Sequence, residues 1–106
     1  MGQYRLHRVV DEDLVCIATY LRRENPRAAK RFLDVAFETF AFIANWPEAA
    51  PLARLGAHRH RLIRCRALGR PFQNYLVFYL CQGGKVRILR VLHGATNWQA
   101  DLELFG

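Results

Sequence analysis

Arginine side chains dominate the part of the chain that could do chemistry with an anionic partner. Residues 49–100 contain nine basic residues and no acidic residue, whereas residues 1–48 carry seven of each. The whole chain has a formal net charge of +7, and fourteen of its sixteen basic residues are arginine. Arginine favours planar, bidentate contacts with carboxylates and phosphates. This pattern predicts an anionic macromolecular partner, either a nucleic acid or an acidic protein segment.

The densest basic run lies between residues 54 and 70. Its basic and histidine members are Arg54, His58, Arg59, His60, Arg61, Arg64, Arg66 and Arg70. A charge run often forms nothing more than a solvated face, but such faces commonly mix both signs and this run contains no acid. The run is therefore a candidate docking surface.

Two residues of the last predicted strand could take part in a reaction. Arg90 lies among apolar neighbours. It either faces solvent at an edge, pairs with a helix carboxylate such as Asp13 or Glu38, or presents its guanidinium on an open sheet face to a phosphate or a carboxylate. His93 has a side chain whose usual pKa suits general acid–base catalysis, but a backbone hydrogen bond at the strand end is the favoured interpretation. Cleavage of RNA through the 2′-OH would need such an acid or base together with a cation from Arg61, Arg64 or Arg90.

Cysteine spacing and composition exclude several classes of protein. Cys16, Cys65 and Cys81 form no CxxC pair and do not lie at zinc spacing from the histidines, so we expect reduced thiols in the cytoplasm, no disulfide, no metal and no cofactor. A hydrophobic fraction of 52% over 106 residues predicts one folded domain, residues 1–106. Neither a membrane-spanning segment nor a secretory signal is expected.

Periodicity predicts a strand followed by two helices in the first half of the chain. Residues 4–10 are rich in β-branched and aromatic residues, and Asp11 is the expected N-cap of the first helix. Asn25 and Pro26 end that helix and begin a second one, which runs from Pro26 to about Asn45. Its apolar stripe is Ala29, Phe32, Leu33, Ala36, Phe40 and Ile43. Phe37 and Phe42 lie outside the stripe, as further core contacts or as a surface for a partner.

The second half changes to the period of β-strands. We predict a loop over 47–58, strands over 61–66, 72–81 and 86–93, and a short helix over 98–104. Gly83 and Gly84 supply the tight turn between the last two strands. The predicted fold is α+β, a two-layer domain with an N-terminal strand, an α-helical hairpin, a three-stranded antiparallel meander and a short C-terminal helix. Strict alternation would place Val86, Ile88, Arg90 and Leu92 on one face of the last strand.

The strand segments resemble a known family. The sequences Asn74–Tyr79, Gly83-Gly84 and Val86–Ala95 are similar to the C-terminal half of ParE-type toxins of the ParE/RelE superfamily. The helical residues agree with it: Asp13, Leu14, Ile17, Tyr20, Ala29, Phe32, Trp46 and Pro47. The resemblance implies the fold derived above. One difference is that Thr96-Asn97 replaces the usual Arg-Asp of the family, so a basic residue is missing there.

The resemblance also implies a function and partners. ParE-type members are toxins of type II toxin–antitoxin (plasmid stabilisation) systems that inhibit DNA gyrase without being enzymes. A cognate antitoxin, whose acidic C-terminal segment wraps the toxin in a hetero-oligomer, neutralises them. RelE-type members instead cut mRNA on the ribosome, usually with a Tyr or His near the chain end. A third alternative is a non-toxic nucleic-acid-binding or adaptor domain on the same fold.

The expected contact residues follow from the charge pattern together with the resemblance. On the gyrase-inhibitor interpretation, the residues that bind the antitoxin or the target are Arg59, Arg61, Arg64, Arg66, Arg90, His93, Phe37 and Phe42. On the ribonuclease interpretation, the catalytic residues are Arg61, Arg64, Arg90 and His93. Residues 96–106 contain no Tyr, His, Lys or Arg, so only half of a nuclease constellation is visible. The incomplete set of nuclease residues favours the interpretation as a gyrase inhibitor over the interpretation as a ribonuclease.

Overall fold

An antiparallel pair of helices packs on one face of a four-stranded mixed sheet. The computed structural model describes residues 3–53 and 62–102. The elements are β1 (Tyr4–Leu6), α1 (Arg8–Glu24), α2 (Pro26–Asn45), β2 (Ile63–Ala67), β3 (Tyr75–Gln82), β4 (Lys85–His93) and α3 (Trp98–Leu102). The α+β class, the helical hairpin, the meander and the short last helix are confirmed.

The second helix has the bounds that its capping residues predict. The Asn25 side-chain oxygen accepts a hydrogen bond from the Arg27 N–H at 3.0 Å, and Pro26 occupies the first turn, where no N–H is needed. At the other end, the Trp46 N–H donates to the carbonyl of Phe42 at 2.9 Å. A connection of one residue therefore reverses the chain and forms the hairpin.

The first helix begins earlier than predicted. The expected strand over 4–10 is wrong beyond Leu6, and the N-cap is His7 instead of Asp11. The His7 Nδ1 atom accepts from the Val9 N–H at 3.2 Å, while the His7 N–H donates to the Ile88 carbonyl at 2.8 Å. Burial of Val10 in the core between the helices and the sheet outweighs the strand propensity of its β-branched side chain.

The sheet has the order β1-β4-β3-β2, with β1 parallel to β4 and the other pairs antiparallel. The strand expected to begin at residue 72 begins at Tyr75, because Phe72 closes a turn. Its N–H donates to the Gly69 carbonyl, and its own carbonyl accepts from the Tyr75 N–H. Gly83 and Gly84 have φ angles of 58° and 76°, which confirms the tight β3–β4 turn.

Each face of the sheet carries its own apolar core. The hairpin-side core includes Val77, Tyr79, Val86, Ile88 and Val91. The opposite core lies beneath α3 and contains Ile63, Phe78, Leu80, Leu89, Leu92 and Leu102. A bulge pairs Phe78 with Arg90 and Tyr79 with Ile88, so the pattern shifts at Leu89. The strict alternation predicted for β4 is therefore wrong beyond Ile88.

Candidate functional site

A half-buried arginine of β2 stacks on an aromatic ring of α2. The Cζ atom of Arg66 lies 4.2 Å from the centre of the Phe42 ring, which is cation–π geometry. The Arg66 Nε atom is buried, and it has no hydrogen-bond partner among the described residues. Leaving a buried donor unpaired costs about 1–3 kcal/mol. Because Nε is buried and the residue as a whole is only half-buried, an external partner would contact the accessible part of the Arg66 side chain and not Nε.

Arg64 lies two residues earlier on the same side of β2, and it is bound within the protein. Its Nη1 atom donates to the carbonyl of Ala50, just after α2. The neighbouring segment runs along the outer edge of β2, where Leu52 forms an antiparallel bridge with Arg64. The Cys65 N–H donates to the Pro51 carbonyl at 3.1 Å. Arg64 thus holds the chain that leaves α2 against the sheet.

Apolar side chains are exposed around this pair of arginines. Trp46 is 62% exposed, Leu52 48% and Phe42 40%. Trp46 lies one helical turn after Phe42, whereas Leu52 lies opposite Arg64. We call the five residues Phe42, Trp46, Leu52, Arg64 and Arg66 the arginine–aromatic corner. In the described part of the chain, neither of its arginines contacts a carboxylate. The corner therefore combines cationic and apolar groups, which suits an acidic segment with apolar side chains.

Arg90 forms an ion pair with α1. Its Nε donates to Asp13 Oδ2 at 2.9 Å, and its Nη2 donates to Oδ1 at 2.8 Å. The Val91 N–H also donates to Asp13 Oδ2, at 3.0 Å. The Asp13 hydrogen bond raises the pKa of the Arg90 guanidinium above its usual value. Of the alternatives for Arg90, the structure shows the pairing with a helix carboxylate.

His93 ends β4 and is held by local contacts. Its Nδ1 accepts from the Ala95 N–H at 3.0 Å, and its ring makes an edge contact with Tyr75 at a centroid distance of 5.1 Å. The Thr96 hydroxyl donates to the His93 carbonyl at 2.7 Å. Thr96 therefore has a role in ending the strand, at the position where the predicted family pattern has a basic residue.

The remaining predicted contact residues are not brought together. Phe37 and Phe42 are five residues apart on α2, which separates them by about 140° around the helix. Phe37 packs its ring edge against Phe40 at 5.6 Å, away from the corner. Arg59 and Arg61 lie outside the described residues. Trp46 and Leu52 are not among the predicted contact residues, although each is a large apolar side chain beside a proline, Pro47 or Pro51.

Burial is the main cause of the pKa shifts near these residues. Burial raises the pKa of the Cys65 thiol to about 11 and raises the pKa of Tyr79, whose hydroxyl donates to the Pro47 carbonyl at 2.7 Å. Among the described residues, no three His, Cys, Asp or Glu side chains are grouped so as to hold a metal ion. No helix over 3–53 or 62–102 is long and apolar enough to cross a membrane.

Comparison with known proteins covers most of the chain. A family model described as "ParE toxin of type II toxin-antitoxin system, parDE" matches residues 4–98. A solved structure, "Chromosomal ParDE TA system from P. aeruginosa", contains a similar chain with a TM-score of 0.67 and 18% sequence identity. The alignment covers 88% of this chain and 96% of that one. No curated protein sequence matches.

Proposed function

This chain belongs to the ParE toxin family of type II toxin–antitoxin systems, and we propose that it inhibits DNA gyrase and is neutralised by a cognate antitoxin. Membership of the family supports the role of toxin. The similar structure is titled as a ParDE system, which supports a partner antitoxin. Gyrase as the target places the site of action in the cytoplasm.

The contacts of the candidate nuclease side chains favour gyrase inhibition over mRNA cleavage. Arg64 is bound to the Ala50 carbonyl, Arg90 to the Asp13 carboxylate, and His93 to the Ala95 N–H. These are three different internal partners. General acid–base cleavage needs a proton-transfer group and a cation that converge on one phosphate. Among the described residues, no proton-transfer group and cation lie together in this way. This observation is the main support for gyrase over mRNA as the target.

The sheet face opposite the hairpin also argues against an RNA-binding cleft. The part of that face beneath α3 is filled by apolar side chains, and the Trp98 ring of α3 lies 5.0 Å from the Phe78 ring. Leu102 is almost completely buried there. An extended RNA strand would have to displace α3 from this core to reach that part of the sheet.

We assign the acidic segment of the antitoxin to the arginine–aromatic corner. A carboxylate of the segment would accept from the accessible part of the Arg66 side chain, which forms no ion pair among the described residues. Apolar side chains of the same segment would cover Trp46 and Phe42. Such a contact joins charge complementarity to apolar burial, as protein interfaces commonly do.

The target is tested with the purified chain in two assays. In a supercoiling assay with DNA gyrase, we expect inhibition by the unmodified chain and equal inhibition by a His93→Ala variant. In a translating ribosome system, we expect no new mRNA ends. Discrete cuts within translated regions, lost by at least about 100-fold in His93→Ala, would establish the ribonuclease instead.

The antitoxin contact is tested by charge reversal at Arg66. We expect Arg66→Glu to weaken the antitoxin complex by at least about 30-fold, the effect of about 2 kcal/mol at a desolvated charge pair. Arg22→Glu is the matched control, because it makes the same charge change in the last turn of α1. Equal, small effects of the two variants would place the antitoxin elsewhere. Gyrase inhibition by the free chain is measured on the same samples, so the two proposals can fail separately.

A further inference from the structure

A second group of cations lies at the other edge of the sheet, on β1 and the start of β4. Arg5 and Arg87 are register partners in the parallel β1–β4 pair, so their Cα atoms are neighbours across the sheet. Tyr4 and Leu6 pack against the hairpin-side core, as do Val86 and Ile88. Alternation therefore places Arg5, Lys85 and Arg87 together on the opposite face. We call these three exposed residues the sheet-edge cations.

No carboxylate is available on the sheet to neutralise this group. The four strands contain no Asp or Glu, and the two ion pairs of the described residues do not involve any of the sheet-edge cations. Like charges on directly neighbouring strand positions destabilise a sheet. The pair formed by Arg5 and Arg87 therefore costs stability in the free protein, and an anion that binds both relieves that cost.

The pKa of His7 depends on the positive charges near the sheet-edge cations. The pKa of His7 is lowered, first by burial and then by the positive charges of Arg87, Arg8 and Arg90. No acidic side chain is among the causes. The positive charge of Arg87 therefore acts as far as His7, which precedes α1.

The surroundings identify the kind of anion. The exposed large apolar side chains of the described residues are Val15, Tyr20, Phe37, Phe42, Trp46, Leu52 and Leu62, and none of them lies on β1, β3 or β4. An acidic protein segment usually needs apolar anchors in addition to charge. A phosphodiester backbone needs only positioned guanidinium and ammonium groups, and arginine contacts its oxygens bidentately.

We propose that the sheet-edge cations Arg5, Lys85 and Arg87 bind the phosphate backbone of duplex DNA without reading its sequence. This activity is separate from the proposed inhibition of gyrase, and either could exist without the other. With three phosphate contacts, the logarithm of the association constant for DNA should fall against log[salt] with a slope of about −2.7. The association constant should then drop about 40-fold between 50 and 200 mM salt.

The test uses fluorescence anisotropy with a labelled duplex of mixed sequence and about 20 base pairs. The variant Arg5→Gln/Arg87→Gln is expected to lower the magnitude of the salt slope by about 1.8, since two contacts are lost. The control Arg22→Gln/Arg23→Gln removes the same charge from the last turn of α1 and should keep the slope of the unmodified chain. Both variants alter exposed side chains, and urea unfolding verifies that they are folded.

Three results would overturn the proposal. These are equal slopes for the two double variants, binding of the unmodified chain that does not depend on salt, and displacement of the DNA by poly-glutamate at equal charge concentration. The first would assign DNA binding to other cations of the chain. The last would identify a carboxylate-bearing partner.

Discussion

Replacement of Asp13 with alanine should destabilise the fold by about 3–5 kcal/mol, the usual cost of breaking a buried ion pair from one side. The Asp13 carboxylate accepts from two nitrogens of Arg90 and from the Val91 N–H. The side chains of Asp13 and Arg90 are only 8% and 13% exposed, so water replaces little of what is lost. The variant leaves a guanidinium and a backbone donor without their acceptor.

The loss is large relative to the stability of a small domain. Domains typically unfold with about 5–15 kcal/mol, and for one near this size each kcal/mol corresponds to about 4–8 °C in Tm. Asp13→Ala should therefore lower Tm by at least about 12 °C, measured by circular dichroism. Asp34→Ala is the matched control, because Asp34 pairs with Lys30 at 3.9 Å while both side chains are exposed. Its cost should stay below about 0.5 kcal/mol.

A double-mutant cycle separates the pair from the rest of the site. Arg90→Met alone leaves the Asp13 carboxylate with one partner, whereas Asp13→Ala/Arg90→Met removes both buried charges. The double variant should be no less stable than the worse single variant, with a coupling energy of about 2 kcal/mol or more from urea unfolding. Additive losses, or a cost of Asp13→Ala equal to that of Asp34→Ala, would refute the argument that this pair is buried and bidentate.

Three further predictions concern single side chains. Because the pKa of His7 is lowered in the folded protein, the unfolded chain binds more protons near pH 6.5, and the free energy of unfolding should fall as pH drops from 7.5 to 5.5. The variant His7→Asn can still cap the helix, and it should flatten this pH dependence of the urea midpoint. Thr39→Val should cost about 1–2 kcal/mol in urea unfolding, because the buried hydroxyl accepts from the Gly69 N–H and the methyl group cannot. Cys65, with its pKa near 11, should react with a thiol reagent at pH 8 at least about tenfold more slowly than the exposed Cys16; equal rates would contradict its burial.

Local signals in the sequence predict most helices and strands. The start of α1 and the bulge in β4 depend instead on contacts between residues that are distant in the sequence. The bounds of α2 were predictable because Asn25 and Pro26 act on the residues directly beside them. The start of α1 was missed because His7 rarely caps helices, and Val10 is buried by strands more than sixty residues away. The bulge at Leu89 also depends on pairing between strands, so strict alternation misassigned the far end of β4.

The same limit applies to the candidate site. Asp13 and Glu38 were both sensible partners for Arg90 in the sequence, and only the approach of α1 to β4 selects Asp13, which is 77 residues away. The stacking of Arg66 on Phe42 similarly needs the packing of α2 against β2. Charge counts located the basic part of the chain correctly, but they could not distinguish an arginine that holds the fold from one that contacts a partner.

That distinction decides how loss-of-function variants should be interpreted. Arg64 and Arg90 are both bound to groups of their own chain, so charge reversal at either position will disturb the fold before it reports on an interface. Arg66 differs, because its side chain stacks on Phe42 and forms no ion pair among the described residues. An Arg90 variant could lose its toxicity while its folded fraction still binds the antitoxin. That result would mean that the variant lost stability and not a contact with a partner. Loss of antitoxin binding at Arg66 with an unchanged Tm would indicate a contact surface.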